Sequence, residues 1–203
     1  MYHFVFATSF LLWASTAAAQ SGCTDPQATN YNASATSNDG SCVYPVTSFA
    51  PVFKTNLNND LREISGLIKT DSRWWGHDDS GFDETFFHLN PENGEILQDI
   101  KLDNAHNRDW EDIASDGANL YIGDFGNNNN NRQNLGIYIV PLSEIGNSNS
   151  ETVHEFEWSF LPFSHVDQTD YTAVAEDSTV FDGEPMIFYN DHAHLFTQSR
   201  RDY

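Results

Sequence analysis

Carboxylates are the most suggestive chemistry in this chain. Glu63, Glu111 and Glu184 each stand at the head of a β-prone stretch: Glu63-Ile-Ser-Gly-Leu, Glu111-Asp-Ile-Ala and Glu184-Pro-Met-Ile-Phe. Carboxylates brought together repel unless a proton or a cation intervenes. Calcium suits them, because it takes oxygen ligands at about 2.3–2.6 Å in loose geometry. Asp112 and Asp124 are candidates to complete the shell, with His77, Asp78 and Asp79 as ligand-binding groups close by. The competing role for each Glu is to cap backbone amides between neighbouring sheets and bind nothing.

Other groups carry weaker signals. Asn127 opens a run of five asparagines that ends at Arg132. Asparagine tolerates left-handed turns, so the run reads first as a hairpin loop; its amides and Arg132 are also candidates for calcium or sugar hydroxyls. Trp74 and Trp75 are adjacent, so a strand points them to opposite faces, one to the core and one free for a sugar ring. His192 and His194 share a strand face but have no third ligand close by in sequence. Nucleophile elbow, H-E-x-x-H pair and phosphate loop are all missing from the sequence.

The composition narrows the partners. Against 9 Lys and Arg stand 30 Asp and Glu in 203 residues, a formal charge of −21. Such a surface repels phosphate backbones and anionic lipid, which argues against nucleic acid and the membrane surface. Two cysteines cannot make a four-thiolate zinc site or an iron–sulfur cluster.

Residues 1–19 read as a secretory leader, an apolar run ending in Ala17-Ala18-Ala19. It is too short to span a bilayer, and no later segment is apolar enough to cross one. Export places the mature chain outside the cell, at its surface or in a periplasm. There Cys23 and Cys42 are expected to pair, closing a loop worth roughly 3 kcal/mol on chain entropy. Asp25 and Asp39-Gly40 are turn formers that could also offer oxygens to an ion. The whole stretch from Gly22 to Tyr44 resembles a short G-C-T-D-P…D-G-S-C repeat of exported proteins in Bacteroidetes.

Beyond a module at 20–45 and a linker at 46–59, short β-rich runs alternate with Asn, Asp and Gly turns, which predicts an all-β fold. Phe156, Trp158 and Phe160 alternate with polar residues, the pattern of a half-buried strand. The three Glu-headed segments mark an internal repeat. Units at about 61–102 and 109–161 have room for four strands, and a third at 183–203 for two. Four strands in 40–50 residues is the blade of a β-propeller. About two and a half blades cannot close, so the remaining blades are expected from a longer chain or from self-assembly, over residues 60–203. A two-sheet sandwich is the alternative.

Asp109-Trp-Glu-Asp-Ile-Ala, Leu120-Tyr-Ile-Gly-Asp-Phe-Gly-Asn-Asn and Ile137-Tyr-Ile resemble the D-W-E-D-I-A, L-Y-I-G-D-x-G-N-N and I-Y-x-x motifs of secreted bacterial β-propeller proteins. Glu63-Ile-Ser-Gly-Leu and His77-Asp-Asp-Ser-Gly81 resemble that group's E-x-S-G-L and H-N-D-S-G pieces. The likeness is dense over 58–142 and sparse over 180–201, where Gln198 replaces a common Lys and Pro185 follows the third Glu. It implies a phytase-like, lactonase-like or NHL-type propeller. Two functions follow as expectations: a calcium-stabilised protein binding an extracellular glycan, peptide or small molecule, or a calcium-dependent phosphoesterase or lactonase.

Overall fold

From Gln98 to Leu102 every second side chain is buried and those between are exposed, as a strand with one wet face requires. Such alternation, broken by Asn, Asp and Gly turns, sets the architecture seen in a computed structural model, which describes residues 19–71, 73–81, 83–175 and 178–198. The expected leader, apart from Ala19, lies outside the described residues, as does the tail from 199. The chain divides between Val52 and Phe53 into two compact units.

The first unit is held by the Cys23–Cys42 disulfide and a short parallel pair, β1 (Ser21–Gly22) with β2 (Ser37–Asn38). Its polar residues bind its own backbone. The Asn30 amide donates to the Ser41 carbonyl at 2.6 Å and accepts from the Val43 N–H at 2.7 Å. Asp25 accepts from the Gln27 N–H and the Tyr44 hydroxyl, and Asp39 from the Ser41 N–H. These hydrogen bonds hold both carboxyls below their ordinary value. Gly40, at φ +77°, supplies the left-handed step of the Asp39-Gly40 turn.

The second unit is all β. Strands β3 (Ile64–Thr70), β4 (Arg73–Asp78), β5 (Thr85–Leu89) and β6 (Ile96–Leu102) form an antiparallel meander. Then β7 (Trp110–Ser115), β8 (Asn119–Asp124) and β9 (Gly136–Pro141) begin a second sheet. From there β10 (Ser150–Val153) crosses back to pair in parallel with β6, and β11 (Ser159–Pro162) returns to β9. A hairpin, β12 (Asp182–Tyr189) with β13 (His192–Gln198), follows. Sheets of five, four and two strands result, none closed on itself.

One core cluster joins the five-stranded and four-stranded sheets through Trp75, Phe86, Ile100, Trp110, Ile122 and Val140. A second joins the four-stranded sheet to the hairpin through Ala114, Phe125, Ile137 and Met186. Each large side chain fully buried there contributes about 1.5–3 kcal/mol. The strand expected from Phe156 starts later. The Glu157 N–H donates to the His154 carbonyl, closing a turn that leaves Phe156 83% exposed, and pairing begins only at Ser159.

Candidate metal centre

The site lies where the first strands of the three sheets come together, and all three carry a β-bulge there. Pairing shifts between Ile64 and Gly66 in β3, between Trp110 and Asp112 in β7, and between Gly183 and Met186 in β12. A bulge adds an unpaired residue and re-aims its side chain. The residues within these bulges, Ser65, Glu111, Glu184 and Pro185, line an open cleft of about 320 Å³ together with Asp112.

This register refines the repeat. Ile64 faces Asp78 as Trp110 faces Asp124. By position, then, Ser65 corresponds to Glu111, and Glu63 corresponds to Asp109. Glu63 is exposed and lies outside the convergent group of Asp79, Asp109 and Glu111. The hairpin repeats the β7 pattern, with Asp182 and Glu184 spaced like Asp109 and Glu111.

Asp79, Asp109 and Glu111 each offer an oxygen within 4.8 Å of the others. Asn107 draws the elements together: its amide donates to the Asp78 and Asp79 carbonyls at 3.3 and 2.8 Å, and its oxygen accepts from the Trp110 N–H. The Asp109 carbonyl accepts from the Gly126 N–H at 3.2 Å, and its carboxylate accepts from Asn128 at 3.3 Å. Ser65 Oγ donates to the Glu111 carbonyl at 2.6 Å, tying β3 to β7. Gly126 packs so closely that a Cβ there would run into the carboxyls of both Glu111 and Asp109.

Electrostatics mark the cluster as short of positive charge. Burial, and then the charges of Asp109, Glu184, Asp79 and Asp182, push Glu111 up to about 9. Glu184 is pushed up to about 7 by burial and by Asp182, Asp79 and Asp109. Burial also raises Asp109 and Asp182. Without a cation beside it, the Glu111 carboxyl therefore holds a proton more tightly than an ordinary glutamate.

Several residues expected at the site hold the scaffold instead. Asp124 is fully buried and accepts from Arg132 at 2.8 Å, from Arg108 at 3.4 Å and from the Asp109 N–H at 3.2 Å. Arg132 also donates to the Gly126 carbonyl at 2.7 Å. Asp112 accepts from the Met186 and Ile113 N–H groups, fastening β7 to β12. Asn127 is buried; it takes the Arg132 N–H on its amide oxygen, while its own N–H donates to Asp182 at 2.6 Å. His77 is buried edge-on against Trp110, and burial lowers its basicity. Asp78, next along β4, points to the opposite face of the sheet. His192 and His194 share an exposed strand face, 6.4 Å apart between ring centres.

Trp75 is core and Trp74 is half-buried in a cleft of about 870 Å³ with Leu67, Leu89 and Pro91. No helix among the described residues is long and apolar enough to cross a membrane. No known protein-family model, curated protein or solved structure matches this chain.

Two contributors escaped the sequence reading. Asp109 is visible as the i−2 partner of Glu111, on the same face of an extended strand. Asn107 carries no such signal, because the Asp79 and Asp78 carbonyls that its amide reaches lie 28 and 29 residues away.

Proposed function

We propose that this chain is an exported, calcium-stabilised β-propeller-type protein that binds an extracellular ligand without chemistry. The supporting observation is the Asp79–Asp109–Glu111 group, three convergent carboxylates; Arg132, whose charge acts on Asp109, is itself bonded to Asp124 and to the Gly126 carbonyl. A hard divalent cation with oxygen ligands relieves that repulsion, and calcium accepts the irregular geometry of groups drawn from a loop and a strand. Glu184 lines the same cleft beside Glu111.

With the cation in place, the ends of β4 and β7 are clamped together. The half-buried Trp74 offers an aromatic face for a glycan ring, with Asn90, Asp71 and Lys69 around the cleft for its hydroxyls.

Calorimetric titration of the mature chain with calcium is expected to show one saturable site, absent in Glu111→Gln. A folded protein with no calcium site rejects the reading. Calcium-dependent turnover of p-nitrophenyl phosphate or a simple lactone, lost in Glu111→Gln, would replace binding by hydrolysis.

A further inference from the structure

The far face of the five-stranded sheet, away from the core, carries a second acidic region. Asp60, Asp78, Asp83, Asp99 and Glu151 line a cleft of about 450 Å³ there. Strand alternation sets this grouping. His77 and Ile100 point into the core, so their neighbours Asp78 and Asp99 point the other way. Lys101 is the basic group lining the cleft, and it is engaged by Glu84 at 3.1 Å; Arg62, which does not line the cleft, also acts on Asp78 through its charge.

Asp78 distinguishes this cleft from an ordinary acidic surface. It is only 3% exposed, and its Oδ1 finds no hydrogen-bond donor. A buried carboxylate oxygen without a donor is costly and calls for a positively charged or donating partner. These five carboxylates do not converge as metal ligands. Among the described residues, only Asp79, Asp109 and Glu111 bring three ligand atoms within 4.8 Å of one another. Separated negative charges suit an elongated cation better than a point ion. Phe87 and Ile96, which also line the cleft, offer apolar surface between those charges.

We infer that this cleft binds a small aliphatic polyamine, with its ammonium groups at Asp78 and Asp99 and its methylenes against Phe87 and Ile96. Each ammonium donates charge-assisted hydrogen bonds to a carboxylate, and Asp78 Oδ1 gains the donor it lacks. This inference does not depend on the calcium site, which uses the neighbouring Asp79 and other strands.

The test is calorimetric titration with spermidine in calcium-saturated protein at about 0.15 M salt, where loose surface attraction is screened. The expected result is one saturable site. Asp99→Asn, an exposed change that spares the core, should weaken it about tenfold. Asp78→Asn should do at least as much, with folding checked by circular dichroism. Asp191→Asn, on the distant β12–β13 turn, should leave affinity unchanged. Weak binding without saturation, or equal loss in Asp191→Asn and Asp99→Asn, would overturn the inference.

Discussion

Asp124 and Glu111 sit on adjacent strands of one sheet, yet they meet opposite fates. Asp124 is fully buried, and two guanidiniums and a backbone amide face it. Burial still raises its carboxyl, but Arg132 and Arg108 pull against that rise. Glu111 is only half-buried, yet the charged groups acting on it are other carboxylates, and its carboxyl climbs to about 9. A buried charge with a permanent partner is scaffold. A cluster of like charges without one is a place for a mobile cation.

Removing the permanent partner should have the largest effect. Arg132→Met strands Asp124 in the interior and is expected to cost about 3–5 kcal/mol in urea denaturation. A loss below about 1 kcal/mol would show that the ion pair does not anchor the loop after β8.

Supplying the missing partner comes next. Calcium at a hundredfold excess over its Kd should stabilise the chain by about 2.7 kcal/mol. At a fixed calcium concentration the effect should grow with pH. Folded Glu111, near 9 against an ordinary 4.5, keeps a proton that the unfolded chain has lost. Stability of metal-free protein is then highest below about 4.5 as far as this group is concerned, and falls as pH rises toward about 9. Thermal melts across that window should slope downward without calcium and flatten with calcium or in Glu111→Gln. A flat metal-free profile would contradict the electrostatic contrast.

Gly126→Ala sharpens the comparison sterically. Its methyl group collides with Glu111 and Asp109, so calcium affinity should drop at least about tenfold, with about 1–3 kcal/mol lost from overpacking. Unchanged calcium affinity would place the ion elsewhere. The smallest effect belongs to Arg108→Ala. Its side chain is 41% exposed and 3.4 Å from Asp124, so less than about 1 kcal/mol is expected by denaturation. A loss matching that of Arg132→Met would mean that the two guanidiniums act as one unit.

Much of the fold was legible because it is written locally. The meander 61–102 has turn residues between its runs, and β8 and β9 match the apolar stretches at 120–123 and 135–140. The Phe156 alternation failed because a capped turn, made by Glu157 and His154, competes with pairing. At the site, Glu111 and Asp79 were visible as acids, but Asp112, Asp124 and Arg132 carried the same signal while serving as fasteners. Sequence similarity also aligned Glu63 with Glu111, because a bulge changes register without changing residue type.

The sequence by itself determined the all-β character, since alternation and turn chemistry act over a few residues. It also determined the Cys23–Cys42 pair, since those two cysteines are all it has. Only the tertiary structure decided which carboxylates receive a guanidinium and which face one another. Those choices rest on contacts such as Met186 to Asp112, 74 residues apart, and Asn107 to Asp79, 28 apart. Such pairings depend on how whole sheets stack and where their bulges fall, and no short stretch of residues encodes that.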